Sequence, residues 1–201
     1  MTDQKPLLIG ITGGIGAGKS TAAKIFSVLG IPVYSADDRA KWLMAHNETL
    51  RKEIQDTFGK EAFLPDGSLN KLYLANEVFS DEQKTKKINS LVHPAVKSDF
   101  EFWASKQNTP YVLKEAALLF ETGSYKELNK IINVSAPVKL RVSRVLMRDP
   151  QRSEEQINAI IDRQLPDTDK NNLADFIIKN TENQQLIPQV LKIHNELLLL
   201  N

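Results

Sequence analysis

Gly13-Gly14-Ile15-Gly16-Ala17-Gly18-Lys19-Ser20 spells G-x-x-x-x-G-K-S, and no other feature constrains the fold of this chain as much. That pattern holds phosphate only where a buried strand enters it and a helix leaves it. Both flanks are present. Leu7 to Thr12 (LLIGIT) is a short apolar run ending at the glycines, which reads as a buried strand. Lys19 to Leu29 sets Ala22, Ala23, Ile25, Phe26 and Leu29 at helical spacing, with Gly30 as the stop. Gly14-x-Gly16 also starts a dinucleotide-type glycine pattern, but its third glycine would fall at position 19, which is Lys19.

The chemistry asks for these residue types. Glycines admit positive φ, so successive N–H groups turn inward toward phosphate oxygens, and the helix beginning near Lys19 adds its positive end. Lys19 reaches the β- and γ-phosphates of ATP as a mobile cation, Ser20 offers a hydroxyl to Mg²⁺, and Thr21 is placed for the α-phosphate. The nucleotide contacts expected are therefore Gly14, Ile15, Gly16, Ala17, Gly18, Lys19, Ser20 and Thr21.

Ile31 to Tyr34 reads as a second strand, so the chain opens as a βαβ unit, the building block of parallel sheets. From Asp37 to about Gln107 the pattern is helical, broken at Gly59, at Pro65-Asp66-Gly67 and at His93-Pro94, with a capping box at Ser80 to Gln83. About seventy residues is too long for one crossover helix. The stretch reads as an insertion, either a substrate-holding lobe or a structural elaboration. Tyr111 to Lys114, running into Glu115, is the third strand and Lys130 to Ser135 the fourth. Helices follow from Val138 to Arg148 and, after a capping box at Ser153 to Gln156, on to Leu165. Phe176 to Lys179 is the fifth strand and Leu186 to Leu200 a closing amphipathic helix, whose Leu197 to Leu200 suits the core or a second copy equally.

The expectation is a single α/β domain of the P-loop NTPase fold, with a five-stranded parallel sheet flanked by helices. Its core spans about 1–36, 108–140 and 174–201, a helical substrate insertion about 37–107, and a helical lid about 141–173. The 201 residues are enough to bury a real core without staples. With 26 Lys and Arg against 25 Asp and Glu, a dominant nucleic-acid role is not expected. The lack of cysteine excludes disulfides, thiolate metal sites and cysteine nucleophiles. Met1 to Pro6 shows no signal-peptide layout and no apolar run reaches membrane-spanning length, so a cytoplasmic location without membrane partners is expected.

A phosphate loop serves switches as well as kinases. The N-K-x-D element of guanine-nucleotide switches is missing, because Asn129-Lys130 continues into Ile131-Ile132. One loop, a helical insertion and an arginine-bearing helix after the fourth strand resemble a small-molecule phosphotransferase. Ligands of parallel α/β sheets sit beyond the carboxyl ends of the strands. Asp37, just past the second strand, suits a base for the acceptor hydroxyl, a helix N-cap, or both. Glu115, ending the third, suits water-mediated Mg²⁺ binding or pairing with Lys114. Arg141, Arg144 and Arg148 share one helix face, either a plain basic surface or the supplier of a catalytic arginine.

Four segments resemble the dephospho-coenzyme A kinase family: Ile11 to Thr21 (ITGGIGAGKST), Ala36-Asp37, Leu91-Val92-His93-Pro94, and Glu115 to Phe120-Glu121 (EAALLFE). Ala136-Pro137, Arg144, Arg148-Asp149, Gln164, Ala174-Asp175 and Asn180 follow in the family's order, and the resemblance covers nearly the whole chain. It implies transfer of the ATP γ-phosphoryl to the ribose 3′-hydroxyl of dephospho-coenzyme A, with Asp37 as base and Lys19, Arg144 and Arg148 as catalytic cations. It places Asp37, His93, Lys97, Glu115, Phe120 and Glu121 near the acceptor and Ser20 and Glu115 at Mg²⁺. From the residues alone, His93 also suits a helix end and Phe120 the core. The chain departs from the family at Ser35 and Glu115 (Asp in the family), at Ala117 (Pro) and at Lys97 (commonly Arg), where a lysine forgoes bidentate phosphate recognition. The implied cofactors are ATP and Mg²⁺, and a monomer or weak homo-oligomer is expected. Another small-molecule P-loop kinase, or an ATP-sensing module that transfers nothing, are the alternatives.

Overall fold

A computed structural model describes residues 5–79 and 81–200, and the chain divides into two compact units. One comprises the chain up to Ser35 and from Ala104 onward; the other is Ala36–Trp103.

The larger unit is built on strands β1 (Leu7–Thr12), β2 (Val33–Ser35), β3 (Tyr111–Glu115), β4 (Lys130–Ser135) and β5 (Phe176–Lys179). All pair in parallel in the order β2-β3-β1-β4-β5. β1 lies in the middle, so the loop leaving its carboxyl end has neighbours on both sides, which is where ligands of such sheets sit. Ile9 and Ile11 of β1 meet Ala22, Ala23 and Phe26 of α1 (Lys19–Val28) and Val190, Ile193 and Leu197 of α9 (Leu186–Leu198) in the main core. Leu197 is fully buried there, while Leu199 is exposed. On β1 a side chain at Gly10 would strike Leu119, Leu128 and Ile131, so this face packs on backbone. Three further helices, α6 (Val138–Arg148), α7 (Glu154–Asp162) and α8 (Asp167–Leu173), lie between β4 and β5 in sequence. The expected capping box is formed by Ser153 and Gln156. The α7 helix stops at Asp162, short of the Leu165 expected, and α8 was not foreseen.

The smaller unit holds α2 (Ala36–His46), α3 (Glu48–Phe58), a 3₁₀ turn at Lys60–Ala62, α4 (Lys71–Phe79) and most of α5 (Glu82–Ala104). Asn47 caps α3 through Leu50 N–H at 2.9 Å, and Gly59 ends it at φ +90°. Arg51 holds the Pro65–Gly67 turn by donating to Ala45 and Gly67 carbonyls. The expected cap at Ser80 lies outside the described residues, as do Met1 to Gln4; the Asp81 carboxylate accepts from Gln83 N–H at 2.7 Å. The expected break at His93-Pro94 does not occur, because Pro94 lies inside α5. Ile88, Val92, Val96, Phe100 and Ala104 form a buried stripe on both sides of it. Each large buried side chain contributes roughly 1.5–3 kcal/mol, against ~3 kcal/mol for an interior proline. The stripe wins, and His93 therefore ends no helix.

Among the described residues no helix is long and apolar enough to cross a membrane. The buried Tyr111 hydroxyl lies 2.6 Å from His194 Nδ1, and burial raises the tyrosine pKa while lowering that of the histidine. The tyrosine therefore stays protonated beside an imidazole that favours its neutral form. A histidine pKa below its unfolded value of 6.5 makes the unfolded state the better proton binder as pH falls. Stability from this pair is present above pH 6.5 and is lost as pH drops through the folded-state pKa. Thermal unfolding of the parent should fall more steeply than that of His194→Gln between pH 7 and 5; parallel profiles would contradict the assignment.

Candidate active site

The loop between β1 and α1 is shaped from the protein side. Gly16 and Gly18 have φ of +75° and +97°, values a side chain resists. An added Cβ at Gly14 would lie 2.3 Å from Arg141 Cζ, at Gly16 2.4 Å from the Arg141 carbonyl oxygen, and at Gly18 2.2 Å from Asn180 Nδ2. The backbone thus runs against α6 and against the segment after β5. Asn180 Nδ2 donates to Ala17 O at 2.7 Å. Arg144, half-buried on α6, donates to Asn180 O and Oδ1 at 3.3 and 3.4 Å. Arg144 is therefore joined to the loop through one asparagine.

Gly18 is the N-cap of α1 and no side chain caps the helix, so the N–H groups of Ser20 and Thr21 have no acceptor within it. That end is a site for anions. The exposed Ser20 hydroxyl donates to Glu115 Oε1 at 2.6 Å. The carboxylate at the end of β3 thus meets the hydroxyl that opens α1, and the alternative partner Lys114 lies one residue back in the strand. Two hard oxygen donors with room for water suit Mg²⁺, which keeps much of its hydration. Among the described residues no cluster of three or more His, Cys, Asp or Glu exists that could hold a metal ion.

The other expected residues are distributed as follows. Ile15 N–H donates to Gln164 Oε1 at 2.9 Å. Arg148, at the end of α6, is largely exposed and forks onto Asp149 at 3.0 and 2.8 Å. That hydrogen bond draws the Asp149 carboxyl below the usual carboxylate range. Phe120 is 7% exposed and packs with Leu119, Tyr125, Leu128 and Ile131, so its side chain belongs to a small apolar cluster. Glu121 Oε1 accepts from Leu165 N–H at 2.9 Å and pairs with Lys170 Nζ at 2.9 Å. In the smaller unit, Asp37 is exposed in the first turn of α2, inside the helix rather than at its cap. His93 and Lys97 are exposed one turn apart on α5.

Several residues escaped sequence reasoning. Arg141 appeared only as one of three arginines on a helix face, yet it is 3% exposed and donates to Ile15 O at 2.9 Å. Its partner Asp167 and the fully buried Lys170 carried no local signal. Gln164 and Asn180 stood in the family's order without an assigned role.

The dephospho-CoA kinase family model matches residues 7–185. The dephospho-CoA kinase of Bacteroides fragilis is 40% identical over 186 residues, which cover 92% of this chain and 90% of that one. The crystal structure of TT1252 from Thermus thermophilus superposes with a TM-score of 0.86 at 33% identity, covering 96% of this chain and 98% of that one. Dephospho-CoA kinase from Campylobacter jejuni follows with a TM-score of 0.69 at 28% identity, over 94% and 96% of the two chains.

The Glu121–Lys170 pair yields a stability test. Removing one partner of a buried pair leaves a charge without compensation and costs about 3–5 kcal/mol, whereas replacing both by apolar groups is often neutral. Glu121→Ala should destabilise by about 3 kcal/mol in urea unfolding, and adding Lys170→Met should recover most of that loss. A single-variant cost under about 1 kcal/mol would show that the pair is not held as described.

Proposed function

The chain belongs to the dephospho-CoA kinase family, and we propose from its site how it performs the last step of coenzyme A synthesis. The γ-phosphoryl group of ATP passes to the ribose 3′-hydroxyl of dephospho-coenzyme A, giving coenzyme A and ADP. The observation that carries the reading is the Ser20 hydroxyl, in the first turn after the phosphate loop, 2.6 Å from the Glu115 carboxylate. This is the pairing of loop hydroxyl and strand-end acid that phosphoryl transfer on this scaffold uses.

In this reading the loop amides and the first turn of α1 receive the phosphates, and Lys19 balances the β- and γ-charges. Ser20 and Glu115 hold Mg²⁺, which when bound neutralises charge on the phosphate oxygens. Arg144, set by Asn180, stands at the nucleotide, and Arg148 swings from Asp149 to meet charge during the reaction. Its exposure and the Asp149-Pro150 break after α6 suit that movement. Asp37 takes the proton of the acceptor hydroxyl. His93 and Lys97, exposed on one face of α5, contact the acceptor, Lys97 answering a phosphate as a point charge. Glu121 acts near the acceptor chiefly by fixing the segment after β3, since its carboxylate is already engaged.

Because the transition state is loose, positioning and charge carry most of the barrier reduction. ADP release should be selective for dephospho-coenzyme A over a panel of nucleotides and sugar acids; selectivity for another acceptor would reassign the substrate. Asp37→Asn should lower kcat ~10²–10⁴-fold with ATP affinity nearly intact. Near-parent kcat would remove Asp37 from the chemistry. Lys19→Ala should impair both ATP binding and turnover, and unchanged kinetics would contradict the phosphate-loop assignment.

A further inference from the structure

We infer that Arg141, with Gln164, is a positioning residue that holds the phosphate loop in its ATP-binding conformation, an inference that rests on the ATP-dependent reading above. The loop's apex is the Ile15 residue, and both of its backbone polar groups are taken from outside the loop. Its N–H donates to Gln164 Oε1 at 2.9 Å and its carbonyl accepts from Arg141 Nε at 2.9 Å. Its side chain packs with Val142, Val145 and Ile157 of α6 and α7. The apex is therefore docked on the helices that follow β4.

Arg141 is suited to this by its shape. The guanidinium fork uses Nε on the loop, one terminal nitrogen on Asp167 Oδ1 at 3.2 Å, and the other toward Gln164 Oε1 at 3.5 Å. Its carbon sits where a side chain at Gly14 would begin, so glycine there makes room for the arginine as well as for the turn. A charge that is 3% exposed is costly to bury unless its partners are fixed. Asp167 is fixed in turn by Ser135 Oγ at 3.1 Å and Ala136 N–H at 3.4 Å, at the end of the strand beside β1. The chain of contacts runs from the sheet through Asp167 and Arg141 to the loop, and its consequence is pre-organisation. A loop already held spends little binding free energy on being ordered, so its amides meet phosphate at full strength.

Arg141 touches no phosphate in this scheme, so its loss should act on ATP and not on the acceptor. Arg141→Met and, separately, Gln164→Met should each raise the ATP KM and the equilibrium Kd for a non-hydrolysable ATP analogue by ~10-fold, with the dephospho-coenzyme A KM within ~2-fold of the parent. Arg141→Lys keeps the charge but not the fork, and it should be as impaired as Arg141→Met. Because both residues act on Ile15, the double variant should lose less than the product of the two single losses. Gln164→Met leaves the Arg141–Asp167 pair in place and serves if Arg141→Met does not fold. Equal losses in the ATP and acceptor KM values, an unchanged ATP Kd in a folded variant, or full rescue by lysine would each overturn the inference. Analogue binding is read without any acceptor, so a parent that binds ATP tightly but does not phosphorylate dephospho-coenzyme A overturns the proposed reaction and leaves this test intact.

Discussion

A backbone loop with no room for side chains at three of its glycines is the constraint on which the larger unit depends. Gly14, Gly16 and Gly18 are met by Arg141, by the α6 backbone and by Asn180, so the loop is clamped between the helix after β4 and the segment after β5. Positive φ explains why glycine is allowed at two of these positions. Close approach explains why little else fits at any of them. The central place of β1 in the sheet brings strand ends from both sides to this loop, and the Ser20–Glu115 contact at 2.6 Å follows from β1 and β3 pairing in register through Ile11 and Glu115.

The same neighbourhood carries two ion pairs with buried cations, Arg141–Asp167 and Lys170–Glu121. Apolar replacements of such pairs are often no less stable, so their presence argues for geometry over stability. Both pairs converge on Gln164 to Lys170. That short segment meets the loop apex through Gln164 and Glu121, at the end of the segment after β3, through Leu165 and Lys170. It is a tie between two elements that lie far apart in sequence.

What sequence reading recovered is what local chemistry dictates. The strands, the phosphate loop and α6 announce themselves by apolar runs, by glycines and by a 3.6-residue period, and Ser20 and Glu115 are legible as a loop residue and a strand end. The residues it misread answer to contacts far along the chain. Pro94 looks like a break until the buried stripe on both sides of it is known. The α8 sequence, DTDKNNL, has no apolar period, and Lys170 within it is buried with Glu121 as its ionic partner. Arg141 resembles a surface arginine by spacing, while its partner Ile15 lies 126 positions away. Asp37 is legible as a carboxylate just past a strand end, whereas the roles of His93 and Lys97 came from family resemblance, since nothing in helical spacing distinguishes them from ordinary exposed residues.

In the proposed reaction this loop delivers the ATP γ-phosphoryl to one hydroxyl. Phosphorus NMR of a reaction holding ATP, Mg²⁺, dephospho-coenzyme A and the protein reads the fate of that group directly. One new phosphomonoester resonance coupled to the ribose 3′ proton should appear, rising in equal amount with ADP. Inorganic phosphate accumulating beside unchanged dephospho-coenzyme A, or an ester at any other hydroxyl, would contradict it.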